Sequence, residues 1–150
     1  MIVYRITKSK HAVDISGIGA SLYPGRWNKK GSPVLYTGVN QEIALLENIV
    51  HIPPLISPAL DILYLEIPDD SILVMDIKDL PKSWAQFPAP TILSEMGQKW
   101  IENGRTLALQ VPSSIIPSSA NIILNCRHAR YSEVKILEQK RFHFDSRLIK

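Results

Sequence analysis

Gly25-Arg26-Trp27-Asn28, then Val34-Leu35-Tyr36-Thr37, then a run from Gln41 to about His51 that carries Glu47: this stretch decides how the 150-residue chain reads. Val34 to Thr37 has the β-branched and aromatic content of a short strand. Asn40 stands where an N-cap belongs, and the helix it opens must end before Pro53-Pro54. A loop, a strand and a helix thus follow one another closely. Each carries a polar residue that packing alone does not call for, namely Arg26, Tyr36 and Glu47.

On the N-terminal side, Met1 to Ile6 reads as a strand, and Thr7 to Gly31 as loop, with four glycines and one proline. On the C-terminal side, Asp61 to Ile67 and Ile72 to Ile77 alternate well enough for strands. Leu80 to Pro90 holds three prolines and reads as an ordered loop. Thr91 to Asn103 reads as a second helix. Leu93, Met96, Gly97 and Trp100 share one face at helical spacing, and Gly104 suits the position after the last turn. Thr106 to Val111, Asn121 to Asn125, Ser132 to Leu137 and Lys140 to Phe144 read as further strands. Strands outnumber helices and do not alternate with them, so a single α+β domain over residues 1–150, with short helices at its flanks, is expected rather than a doubly wound sheet. Gly17-Ile18-Gly19 lacks the third glycine of a dinucleotide fingerprint and lies in a loop.

Composition bounds the function. Hydrophobic residues make up 45% and charged residues 21%, an ordinary globular balance. No stretch approaches the roughly 18 apolar residues of a membrane-spanning helix. Met1 to Lys10 alternates apolar and charged residues and has no signal-peptide core, so a cytoplasmic protein is expected. The single cysteine, Cys126, excludes an intrachain disulfide and a cysteine-rich zinc site. His11, His51, His128 and His143 show no metal-ligand spacing. The net charge of +3 favours an anionic ligand or an acidic partner. Lys8 to Lys10 and Lys140 to Arg147 are basic but not interleaved with aromatics, so direct nucleic-acid binding is not expected. The apolar run Ile49 to Ile56 suits a homodimer contact or a core segment equally well.

Taken singly, the candidate site residues have ordinary alternatives. Glu47 borders the apolar face formed with Ile43, Leu46 and Val50; it is either a helix-edge carboxylate reaching water or a half-buried one with a task. Arg26, in a glycine-containing loop, is either a surface arginine or a two-pronged grip for a pyrophosphate. Tyr36 either fills the core edge or stacks on a ligand ring with its hydroxyl wet. Arg5, between Tyr4 and Ile6, faces solvent or a phosphate. Ser113, at a strand end, bonds local backbone or a ligand. Asn121 and Asn125 bracket an apolar strand, with turn chemistry as their ordinary role. Together, Arg26, Tyr36 and Glu47 are the set needed to hold a dinucleotide and break its nicotinamide–ribose bond.

In order along the chain, these segments resemble the RES domain family, named for its Arg, Glu and Ser. The likeness runs through Gly25-Arg26-Trp27-Asn28, Pro33-Val34-Leu35-Tyr36-Thr37 and Ala44-Leu45-Leu46-Glu47. It continues through Gly97-Gln98-Lys99-Trp100, Leu109-Gln110-Val111-Pro112-Ser113, Asn121-Ile122-Ile123-Leu124-Asn125, His128 and Phe144-Asp145-Ser146-Arg147-Leu148. Three positions depart from the pattern. Pro24 stands where a second glycine is usual, Cys126 where a proline is, and Ala120 where an acidic residue often is.

The resemblance implies a bent, split β-core similar to ADP-ribosyltransferases of the diphtheria-toxin type. It implies the toxin of a toxin–antitoxin pair, blocked by an Xre-like antitoxin. It implies NAD as substrate, consumed by hydrolysis or phosphorolysis or used for ADP-ribosylation of a protein, with no metal. By motif match it implies Arg26, Tyr36, Glu47 and Ser113 as the catalytic set. Arg5 carries over as a phosphate contact, and Asn125 as a further cofactor-binding residue.

Overall fold

The computed structural model describes residues 1–53 and 59–148. Its strands are β1 (Ile2–Lys8), β2 (Val34–Gly38), β3 (Leu60–Glu66), β4 (Ile72–Val74), β5 (Ala108–Pro112), β6 (Ala120–Asn125) and β7 (Lys135–Phe142). They lie in one sheet in the order β4-β5-β6-β2-β1-β3-β7. The pairing is antiparallel except between β4 and β5. The helices are α1 (Ile18–Leu22), α2 (Gln41–Ile49) and α3 (Thr91–Asn103).

The expected split in the sheet is visible in the register. β1 pairs with β3 continuously from Ile2↔Glu66 to Lys8↔Leu60, and β2 with β6 from Val34↔Asn125 to Gly38↔Asn121. Between β1 and β2 the one paired position is Tyr4↔Gly38. The sheet is therefore two halves hinged at a seam. On the β3–β7 side the register shifts between Tyr64 and Leu65, a bulge that adds bend and twist.

Strand alternation divides the core between the two faces. One face carries Val3, Leu35, Leu63, Leu65 and Leu124. On the other, Trp27, Leu93, Trp100, Leu109 and Ile123 pack with α3, while Ile6, Ala44, Leu60 and Ile62 pack with α2. Asn40 caps α2 by accepting from the Ile43 amide at 2.8 Å. α3 spans the residues its periodicity predicts, and Gly104 ends it in the left-handed conformation, φ 60°.

Several boundaries differ from the sequence reading. The expected helix to His51 stops at Ile49, and the expected strand from Ile72 to Ile77 stops at Val74. The Asp76 carboxylate accepts from the Lys78 amide and starts a 3-10 turn there. β5 starts at Ala108 and includes Pro112. Ser132–Leu137 and Lys140–Phe144 are not two strands: a 3-10 turn at Tyr131–Glu133 precedes one strand, β7, held along the whole of β3. The loop from Thr7 to Gly31 contains α1, too short for periodicity to reveal. Positions 54–56 of the apolar run Ile49 to Ile56 lie outside the described residues.

Candidate active site

The loop at Gly25–Asn28 is built around Asn28, which is buried. Its Oδ1 accepts from the Gly25 amide at 2.9 Å and from the Tyr36 hydroxyl at 2.7 Å. Its Nδ2 donates to the carbonyls of Ala20 at 2.8 Å and Ser32 at 3.1 Å. One side chain thus closes the loop from α1 to β2. The Tyr36 hydroxyl also accepts from the Trp27 amide at 3.0 Å. The expectation of a wet hydroxyl fails here: the phenol is enclosed, and burial pushes its pKa up. Gly25 lies against the Tyr36 ring, where a Cβ would come within 2.8 Å of it. The backbone of Trp27 rests on α3, with its carbonyl only 1.7 Å from where a Cβ on Gly97 would sit.

This frame aims Arg26. Its Nη1 donates to the carbonyls of Trp84 and Gln86, both at 2.9 Å, so the proline-rich loop before α3 holds one edge of the guanidinium. Partial burial lowers the Arg26 pKa, and the nearby charge of Glu47 opposes that shift. Arg26 and Glu47 form no ion pair among the described residues. Arg26 also borders a surface cavity of about 380 Å³ lined by Lys29, Lys30, Pro90 and Thr91.

Glu47 reaches the sheet from α2. Its Oε1 accepts from the Ser113 hydroxyl at 3.0 Å and from Asn121 Nδ2 at 2.8 Å. Ser113 is fully buried just past β5, and its Oγ accepts from the Ile115 and Ile116 amides at 3.1 and 3.2 Å. Asn121 lies in β6, opposite Gly38 of β2 and Val111 of β5. Gly38 makes this approach possible, since a Cβ there would meet the Ala44 amide of α2 at 2.8 Å. Asn121 is the residue the sequence reading set aside as turn chemistry. Its signal was the strand itself: Asn121 shares a face with Ile123, the face that α2 and α3 cover.

The remaining two residues lie elsewhere. Arg5 shares the sheet face of Val3, opposite the face on which Tyr36 packs with Trp27. Its Nη1 spans the seam to the Tyr36 carbonyl at 3.0 Å. Its Nε is buried with no partner among the described residues, and burial lowers its pKa. Near it stand Cys126 and Tyr131, whose hydroxyl donates to the Ile15 carbonyl. Asn125 is buried with its Nδ2 on the Ile101 carbonyl of α3 at 3.3 Å and its Oδ1 on the Arg127 amide. The structure brings Arg26, Tyr36, Glu47, Ser113 and Asn121 to one face; Asn125 lies farther along that same face, engaged with α3, and Arg5 lies on the opposite face. Among the described residues no group of three His, Cys, Asp or Glu side chains could hold a metal ion, and no helix is long and apolar enough to cross a membrane.

Comparison with known proteins gives a consistent result. Toxin Res of Photorhabdus laumondii is 37% identical over 156 residues, covering 100% of this chain and 98% of the relative. Toxin Res of Yersinia enterocolitica is 33% identical over 99% of each. The Prs ADP-ribosylating toxin of a Sphingobium species is 30% identical, over 95% of this chain and 91% of the relative. Among solved structures, a chain of the Mycobacterium tuberculosis MbcT–MbcA toxin–antitoxin complex superposes with a TM-score of 0.78 at 15% identity. It covers 94% of this chain and 83% of its own, a likeness of fold. The RES domain model matches residues 2–145, and the chain belongs to that family.

Proposed function

We propose that this protein is the toxin of a toxin–antitoxin pair and that it cleaves the nicotinamide–ribose bond of NAD. One observation carries the reading: the Glu47 carboxylate, held by the buried Ser113 and by Asn121, stands near the Arg26 guanidinium without forming an ion pair with it among the described residues. A cation and a carboxylate near each other but not paired suit a ligand with an anionic middle and a cationic end. Support for the toxin class comes from relatives named as toxins and from a fold shared with a chain of a toxin–antitoxin complex.

In this reading Arg26 holds the pyrophosphate with the edge of its guanidinium not engaged by Trp84 and Gln86. Tyr36 supports the nicotinamide end while locking the loop that aims Arg26. Glu47 accepts a hydrogen bond from a nicotinamide-ribose hydroxyl and faces the positive charge that grows on the ribose as the bond to nitrogen lengthens. The electron pair of that bond leaves with nicotinamide, neutralising its ring charge. Water then adds to the anomeric carbon and loses a proton, giving ADP-ribose; inorganic phosphate in its place gives the ribose-1-phosphate ester. Arg5, half-buried with an unpartnered Nε at the seam, is suited to an anion near β1 and β2. Asn125 shapes the wall by fixing the end of α3. The partner is an Xre-like antitoxin in the cytoplasm.

The relative named as an ADP-ribosylating toxin favours a second reading, transfer of ADP-ribose to a protein side chain at the same site. Both begin with release of nicotinamide. Purified protein incubated with NAD, with and without phosphate, should release free nicotinamide, and Glu47→Gln should fold normally yet lose about 10²–10³-fold of that rate. Undiminished release by the variant refutes the role of Glu47. Free ADP-ribose, its phosphate ester or labelled protein then names the acceptor.

A further inference from the structure

Resting on that reading, we infer that Asn121 is a positioning residue that fixes Glu47 through one carboxylate oxygen, so that Oε2 is the oxygen presented to the substrate. Two donors converge on the same atom: Ser113 Oγ at 3.0 Å and Asn121 Nδ2 at 2.8 Å both reach Oε1. The serine has no freedom in this. A hydroxyl has one proton and two acceptor positions. Both acceptor positions are taken by the Ile115 and Ile116 amides, so the proton points at Glu47. Among the described residues nothing donates to Oε2.

The division has chemical consequences. Ser113 and Asn121 are neutral, so they orient the carboxylate without cancelling its charge. Oε2 keeps its lone pairs for a ribose hydroxyl and for the developing cation. Two donors on one oxygen also fix the rotation of the carboxylate, which a single donor leaves free. Asn121 is anchored through its backbone in the sheet, in contrast to Ser113. It sits in β6 between β2 and β5, paired on both sides, whereas Ser113 begins a turn. Its effect should therefore appear in the chemical step, because it touches Glu47 rather than substrate.

The test uses Asn121→Ala and Asn121→Asp, with nicotinamide release from NAD as the readout. The alanine variant should lose about 10–100-fold in kcat with KM changed less than about threefold. Asn121→Asp sets two carboxylates face to face at neutral pH. It should be weaker still, then recover as the pH is lowered until the pair holds one proton and the acid donates as the amide did. The titratable groups the structure couples to this site are Arg26, beside Glu47, and Tyr36, beside Arg26. None of them changes between the variants, so an acid shift confined to Asn121→Asp reports the pair. A wild-type kcat in the alanine variant, or an unshifted pH profile in the aspartate variant, overturns the inference. If the wild-type protein releases no nicotinamide, the proposed function fails alone. Urea midpoints of Asn121→Ala, Glu47→Ala and the double variant then decide the contact: non-additive shifts support it and additive shifts overturn it.

Discussion

Arg5 and Arg26 lie on either side of Tyr36 and meet opposite fates. Arg26 sits in a loop, with one edge tied to two carbonyls and its charge open toward Glu47. Arg5 sits in a strand at the seam, half-buried, with its Nε enclosed and unpartnered, one bond to the Tyr36 carbonyl, and the Asp14 carboxylate nearby but not in an ion pair among the described residues. The first arrangement is inexpensive, because the charge keeps contact with solvent. The second is more costly, because the enclosed Arg5 Nε loses hydration that no acceptor replaces, and Asp14 acts only at a distance. The contrast teaches that the loop arginine has its bonded edge satisfied while the strand arginine keeps an enclosed donor without an acceptor. A ligand that brings negative charge would relieve the seam.

The largest effect should come from the frame common to both regions. Gly97→Ala drives a methyl into the Trp27 carbonyl, where the gap is 1.7 Å and the obstacle is backbone. The variant should lose about 3 kcal/mol or more, read as a fall in the urea midpoint. Retained stability there would mean that α3 and the Gly25–Asn28 loop are not locked together. The next effect separates the two arginines. Arg26→Met should lose about 1–2 kcal/mol of stability with its two carbonyl bonds and most nicotinamide release. Arg5→Met should hold its stability or gain up to about 2 kcal/mol, since a half-buried charge with an enclosed, unpartnered donor is removed. A loss of several kcal/mol in Arg5→Met would show that Arg5 already has an anionic partner, and the contrast would break.

The same two regions show what the sequence made legible. α3 was readable because thirteen residues give more than three turns of periodicity and Gly104 marks the stop. β2 and α2 were readable from β-branched content and the Asn40 cap. The motif match named Arg26, Tyr36, Glu47 and Ser113 as one set before any coordinates. Asn121 was missed because a strand-end asparagine looks like a turn residue until the strand's partner is known. α1 was missed because five residues carry no period. The single strand β7 was read as two because its side chains are largely exposed, so no buried face imposes alternation on them. Arg5 could not be placed from sequence, since its position depends on where two strands part, a property of tertiary pairing alone.

The smallest effect tests the joint between the regions. Tyr36→Phe keeps the ring against Gly25 and removes only the hydroxyl, which links Asn28 Oδ1 and the Trp27 amide. The Trp27 amide is then left without that acceptor, so the variant should lose about 1–2 kcal/mol of stability. Activity should change more in KM than in kcat, because the loop loses its register while the Glu47 anchor from Ser113 and Asn121 is untouched. The opposite split, an intact KM with a reduced kcat, would place the phenol at the reacting bond and give Tyr36 a direct chemical role. Buried as it is, the hydroxyl stays protonated well above neutral pH, so the wild-type latch should not open with alkali before the rest of the fold does. A KM that rises as the protein is titrated through pH 8 to 9 would contradict that, and with it the account of how the sheet aims Arg26.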